Sequence, residues 1–288
     1  MKDSEGRENP IRMPIRIKHL PNFIADKISQ KKLLAKSTDS DITFNLCFFS
    51  CESYFDYLHC SIHSVVNQLS SFKYKIFVFN DSDQPITNEQ SEILRNLSPQ
   101  VEIILWPKSM GWGAEQISNI WRAYEYAAEQ AKPNDIIARV DSDVFFVNER
   151  IFKQVAAQGA DLMGDGHFVD FKYCQGGCYF FKASAVRKIV NLIATESMEK
   201  LVKEIDVEVE DVAATAFAKK LNLNVVQTWF MGFPNELEHN KYFIWWFKSK
   251  FSCVHFVMKN KDKMLTAYLE YFDNNPNDKF SRHLKRKV

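Results

Sequence analysis

The chain has 288 residues, enough for one large α/β domain with short extensions. Hydrophobic residues make up 46% and charged residues 25%, the balance of a globular protein, and a formal net charge of +1 supplies no global field to draw the chain onto nucleic acid. No nucleic-acid partner is therefore expected. Cys47, Cys51, Cys60, Cys174, Cys178 and Cys253 form no CxxC pair and have no ligating histidine nearby in sequence, so buried reduced thiols are expected rather than a zinc site. No apolar run reaches the roughly 20 residues that span a bilayer. Residues 1–36 are polar and basic, interrupted by Pro10, Pro14 and Pro21, and do not read as a secretory signal. The expectation is a cytoplasmic protein.

Residues 1–41 read as an extension, with a short helix around Phe23–Ala35. The ordered domain is expected over 42–265, with a basic tail over 266–288. Ile42–Phe49 is a compact apolar run, as in a buried strand. Leu58, Ile62, Val65, Val66 and Leu69 then recur on one helical face. Tyr74–Phe79 is a second strand, ended by the turn-forming Asn80-Asp81-Ser82-Asp83. A helix over Asn88–Leu97 leads to a third strand, Val101–Trp106, stopped at Pro107. A helix over Glu115–Ala131 leads to a fourth strand within Asp135–Phe146. Further on, Asp161–Gly166 reads as a strand end and turn. Gly176–Phe181 and Leu223–Thr228 read as strands, Ala183–Ile193 and Val209–Leu221 as helices, and Ser252–Val257 as a last strand.

Strands alternating with helices predict a mostly parallel sheet flanked by helices, a Rossmann-like α/β domain. In such sheets ligands bind beyond the carboxyl ends of the strands. Ser50–Ser53, Asn80–Asp83, Lys108–Gly113 and Asp141–Asp143 occupy those positions.

The segment Ile136–Phe146 (IIARVDSDVFF) carries Asp141 and Asp143 one residue apart in a very apolar strand. Asp is a poor strand former, and a period of two turns both side chains to one side. Paired hard oxygen ligands suit Mg²⁺ or Mn²⁺, which in turn can grip a diphosphate. A polar turn after a strand is the plainer alternative.

These pieces resemble the GT-A glycosyltransferases, most closely the large family 2 group, from about Ile42 to His255. Tyr57–Gln68 (YLHCSIHSVVNQ) is similar to the family's first helix. Ile76–Asp83 (IFVFNDSD) is similar to its second strand and acidic turn. Gly111–Ala128 is similar to the glycine-led helix before the DxD strand, and Asp141-Ser142-Asp143 to the DxD itself. Gly176–Ser184 (GGCYFFKAS) is similar to the strand beside the acceptor site, and Glu210-Asp211 to the motif that supplies the catalytic base. The first strand ends in Phe49-Ser50-Cys51-Glu52 instead of the usual Pro-x-Tyr-Asn turn. Asn80 stands where the family has the first Asp of a pair.

The resemblance implies a GT-A domain that transfers a sugar from a nucleoside diphosphate-sugar, UDP-based, to an acceptor hydroxyl with inversion. Asp141, Asp143 and His255 would hold Mn²⁺ or Mg²⁺. Asp211, or next to it Glu210, would be the base. An acidic stretch favouring a helix start explains those two residues as well. Asp81 would read a uracil-like base, or would stabilise its turn. Ser50, Gly111, Arg122 and Lys259 would contact the nucleotide and its phosphates. Arg139 could likewise contact phosphate, though an exposed salt bridge is the plainer reading of both arginines; His255 reads equally as a core residue, and Gly176 and Gly177 as a close backbone approach or a bulge.

Tyr242–Phe247 (YFIWWF) with the surrounding lysines reads as a sugar-stacking or lipid-resting patch, or as buried core. The acceptor could be a glycan, a lipid-linked sugar or a small molecule. A sugar nucleotidyltransferase is a rival of similar architecture, but it would carry a Gly-rich loop after the first strand, where Ser50-Cys51-Glu52-Ser53 has no glycine. A non-catalytic nucleotide-sugar-binding module is the third reading.

Overall fold

The computed structural model describes residues 41–108, 113–233, 251–257 and 261–271, together with Ile24, Lys27 and Ile28, which are helical. The rest of the expected Phe23–Ala35 helix, Gly111, the Tyr242–Phe247 stretch, Lys259 and the tail beyond 271 lie outside the described residues.

Ten strands are described: β1 (Thr43–Ser50), β2 (Lys73–Asp81), β3 (Val101–Trp106), β4 (Ile136–Val140), β5 (Val144–Phe146), β6 (Leu162–Asp165), β7 (Cys178–Lys182), β8 (Val225–Thr228), β9 (Met231–Gly232) and β10 (Cys253–His255). The helices are α1 (Phe55–Gln68), α2 (Asn88–Arg95), α3 (Ala114–Glu129), α4 (Arg150–Gln158), α5 (Ala183–Glu196), α6 (Met198–Ile205), α7 (Glu210–Lys220) and α8 (Lys261–Tyr271). The last of these crosses the expected boundary at 265.

The main sheet has seven strands in the order β3-β2-β1-β4-β7-β6-β8. β3, β2, β1 and β4 are mutually parallel, β7 runs against β4 and β6, and β8 pairs parallel with β6. β1 lies inside the sheet, between β2 and β4, because it is apolar on both faces. Leu46 and Phe48 pack into one core layer and Cys47 and Phe49 into the other. Burying each such large side chain contributes about 1.5–3 kcal/mol. Asp135 ties the amino ends of two strands, accepting from the backbone N–H of Thr43 at 2.9 Å and of Lys132 at 2.7 Å.

The fourth expected strand is in fact two. β4 stops at Val140, and a turn closed by Val144 N–H on the Asp141 carbonyl, at 3.1 Å, separates it from β5. The period-of-two argument for Asp141 and Asp143 is therefore replaced: both sit in a turn, the conformation Asp prefers over strand. β5 leaves the main sheet and joins a second one, β5-β10-β9, in which β10 is antiparallel to β5. Helices α4 and α6 were not expected from the pattern. All six cysteines are free and buried, as anticipated.

Asp165, fully buried at the end of β6, links the two sheets. One carboxylate oxygen holds the backbone N–H groups of Phe230 and Met231 at 2.8 and 2.9 Å, and the other accepts from the backbone and ring of His167. Asp165→Ala leaves those N–H groups buried without an acceptor. A loss of about 2–4 kcal/mol is expected in urea unfolding of the whole chain.

Candidate metal centre

The carboxyl ends of β1 and β4 lie side by side in the parallel register, so the residues that follow them meet. Ser142, in the turn after β4, donates to the Ser50 hydroxyl at 3.2 Å at the end of β1. On either side of Ser142 stand Asp141 and Asp143. The antiparallel pair β5–β10 sets His255 opposite Val144, and Phe256 N–H donates to the Asp143 carbonyl at 2.8 Å. His255 is thereby brought to Asp143 across 112 positions of sequence, with Nε2 3.1 Å from Asp143 Oδ1 and 3.8 Å from Asp141 Oδ2.

One ligand atom from each of Asp141, Asp143 and His255 lies within 4.8 Å of the others. Two carboxylate oxygens and an imidazole nitrogen form a donor set that Mn²⁺ accepts well and Mg²⁺ tolerates. Asp143 and His255 are nearly buried while Asp141 keeps some exposure, so the group opens to solvent on the Asp141 side.

Two glycines shape the walls. Gly177 has φ +102°, and a Cβ there would stand 2.5 Å from His255 Nδ1. Its carbonyl accepts the Asp141 N–H at 2.8 Å. The strand entry therefore seats both a carboxylate and the imidazole, and the close approach is to these side chains. Gly176 N–H donates to Asp211 Oδ2 at 2.6 Å, so the β7 entry also docks the start of α7.

Asp211 sits in the first turn of α7, with its second oxygen on the Val212 N–H at 2.8 Å. Burial pushes its carboxyl up, opposed by the Gly176 N–H and by Arg139. Glu210, its neighbour, has a different situation. It is 7% exposed and both its oxygens are occupied: Oε2 by Arg139 Nη1 at 2.6 Å, Oε1 by the hydroxyls of Tyr124 at 3.2 Å and Tyr179. A carboxylate held by three donors has little capacity left to take a proton from a substrate.

Arg139 was read from sequence as an exposed salt bridge or a phosphate contact. It is instead largely buried and spans two carboxylates, donating through Nε to Asp141 Oδ1 at 2.9 Å and through Nη1 to Glu210. Burial would by itself raise the Asp141 carboxyl, but Arg139 and then His255 outweigh it and hold it below the ordinary value.

Lys261, at the start of α8, was missed by sequence reasoning, which chose Lys259. Its Nζ lies 3.6 Å from Asp143 Oδ2 and 4.0 Å from the centre of the Tyr54 ring. Gln175, before the two glycines, was missed as well. It is buried, and its Oε1 has no hydrogen-bond partner among the described residues.

Asp81 ends β2, buried, and its Oδ1 closes the turn by accepting from Asp83 N–H at 2.9 Å. Asn80 likewise caps the loop, accepting from Ile86 N–H at 2.9 Å. Arg122 is exposed on α3 at the β3 edge, where its guanidinium lies 5.8 Å from the Trp106 ring. None of its contacts in the structure is with the Asp141–Asp143–His255 group.

Solved structures with a similar arrangement of strands and helices include glycosyltransferases. The galactosyltransferase LgtC, in complex with donor and acceptor sugar analogs, superposes with a TM-score of 0.54 at 12% identity over 83% of this chain and 99% of that one. The bifunctional glycosyltransferase WbbM superposes with a TM-score of 0.55 at 12% identity, over 88% of this chain and 52% of that one. No protein-family model matches the chain and no curated protein matches it in sequence. The chain thus has a GT-A-like glycosyltransferase fold. None of the described helices is long and apolar enough to cross a membrane.

Gly177→Ala tests whether the glycine seats the imidazole. The methyl forces the His255 ring away, and Mn²⁺ affinity, followed by titration calorimetry, is expected to fall about 10-fold or more with the fold retained by circular dichroism.

Proposed function

We propose that this protein is a metal-dependent glycosyltransferase that moves a sugar from a UDP-type nucleotide-sugar to an acceptor hydroxyl with inversion. The observation that carries the reading is the convergence of Asp141, Asp143 and His255 beyond β4, where a GT-A-like sheet presents its ligands. A divalent cation there, Mn²⁺ or Mg²⁺, supplies Lewis-acid stabilisation of the charge on the departing nucleoside diphosphate. Lys261 stands beside the same carboxylates and adds a cationic donor for phosphate oxygens, the role first given to Lys259.

Asp81 and Ser50, at the ends of β2 and β1, line the side on which the nucleoside would lie. Gln175 offers an amide to a sugar hydroxyl. Asp211 takes the proton of the acceptor hydroxyl. Two backbone N–H groups hold its carboxylate in place, and burial makes it more basic than a solvated Asp. Glu210, second in the sequence reading, is not assigned as base here because the Arg139 guanidinium and two tyrosine hydroxyls hold it, whereas Asp211 accepts one backbone N–H on each oxygen and keeps lone pairs for a substrate proton. The acceptor class is a glycan, a lipid-linked sugar or a small molecule. Peripheral contact with a membrane surface remains part of the reading through the aromatic and basic stretch near the carboxyl end.

A screen of nucleotide-sugars for hydrolysis and transfer, with and without Mn²⁺, tests the assignment. Asp143→Ala is expected to lose at least about 100-fold in kcat/KM, while Asp211→Asn keeps donor binding and loses transfer. Full activity of Asp143→Ala, or product of retained anomeric configuration by NMR, would overturn the metal role or the Asp211 role respectively.

The pH dependence has a definite sign. Asp211 must be ionised to accept a proton, and its pKa is raised by burial. Activity should therefore fall as pH drops through a value above the ordinary aspartate pKa of about 3.9. The kcat profile is expected to show that acid limb.

A further inference from the structure

Glu210 stands directly before the residue assigned as base, yet its surroundings fit a different task. Arg139 and Asp141 lie two apart, so the guanidinium extends along the strand towards the turn. There its Nε takes up Asp141 Oδ1 at 2.9 Å. Asp141 is left with one oxygen, Oδ2, on the side facing His255. The far side of the guanidinium is held by Glu210 Oε2 at 2.6 Å, and Glu210 Oε1 by Tyr124 and Tyr179, whose hydroxyls also meet at 2.8 Å. Both tyrosines are fully buried. No part of this chain of contacts is free to rotate without leaving a buried polar group unpaired.

We propose that Glu210 is a positioning residue that acts through Arg139 on Asp141, and that the resulting one-oxygen presentation of Asp141 selects Mn²⁺ or Mg²⁺ over Ca²⁺. The inference rests on the reading of Asp141, Asp143 and His255 as cation ligands. Two physical effects are combined. A lone guanidinium 2.9 Å from a ligand carboxylate would compete with the cation, and Glu210 offsets that charge. An Asp141 with one oxygen engaged can bind a cation through a single oxygen only. Small octahedral cations accept that, whereas Ca²⁺ gathers six to eight oxygens and favours two from one carboxylate.

The test is Mn²⁺ binding to the full chain by electron paramagnetic resonance, with Ca²⁺ as competitor. Glu210→Gln keeps the shape and removes the offsetting charge, and its Mn²⁺ Kd is expected to rise about 10–100-fold. Glu208→Gln, at an exposed carboxylate just before α7, removes the same charge and should leave the Mn²⁺ Kd unchanged. The paired variant Arg139→Met/Glu210→Gln removes both charges and frees the second oxygen of Asp141. It should bind Mn²⁺ more tightly than Glu210→Gln alone, and its preference for Mn²⁺ over Ca²⁺ should narrow by about 10-fold. If Glu210→Gln does not fold, the paired variant carries the test through the calcium-to-manganese ratio. A wild-type Kd in folded Glu210→Gln, an equal loss in Glu208→Gln, or an unchanged ratio in the paired variant overturns the proposal. Failure of the unaltered chain to bind Mn²⁺ overturns the metal reading itself, and this inference with it.

Discussion

The antiparallel contact between β5 and β10 is the constraint on which the site depends. Asp141 and Asp143 come with the turn after β4, but a pair of neighbouring carboxylates in a polar turn is an ordinary feature. The three-residue pairing that sets His255 opposite Val144 turns it into a three-donor group. That pairing is held from behind by Asp165, which binds the backbone leading into β9, and β9 in turn pairs with β10. The small second sheet is thus a clamp that closes one end of the large one.

The second feature is the buried charge array Asp141–Arg139–Glu210. Buried ion pairs contribute little net stability, since desolvation offsets most of their attraction. Apolar side chains would fill the same space at no such cost. An array of this kind beside a candidate cation group is therefore better explained by what it does to the ligand than by what it does for folding. Its two ends also lie on different segments, the turn after β4 and the first turn of α7. The position of the metal-side carboxylate and that of Asp211 are consequently set by one connected set of contacts.

Much of the fold was legible in the order of residues. Apolar runs separated by amphipathic helices placed β1 to β4 and α1 to α3 within a few residues, and the parallel order with polar turns at the carboxyl ends followed from that. The fourth strand was overextended because VFF reads as a continuation of IIARV. Only the turn at Asp141–Val144, and the competing partner β10, split them. Arg139 was misjudged as a surface group because a pattern of residue types does not reveal that Glu210, itself held by Tyr124 and Tyr179, meets it. A signal was present: a lone arginine inside an apolar strand, two residues before an aspartate, needs a buried counter-charge. Lys261 carried no comparable signal, as it is one of several lysines in a basic stretch.

The sequence by itself determined the alternation of strands and helices, the site's position after the fourth strand, and the acidic start of α7. These are local consequences of periodicity, turn chemistry and helix-end preference. The tertiary structure alone decided that His255 meets Asp143, that Glu210 is held by a buried guanidinium and two tyrosine hydroxyls while Asp211 is held by two backbone N–H groups, and that a glycine must stand against the imidazole. Each of those depends on groups far apart in the chain sharing one desolvated space. What a carboxylate can do there is set by the donors around it, and no local pattern encodes them.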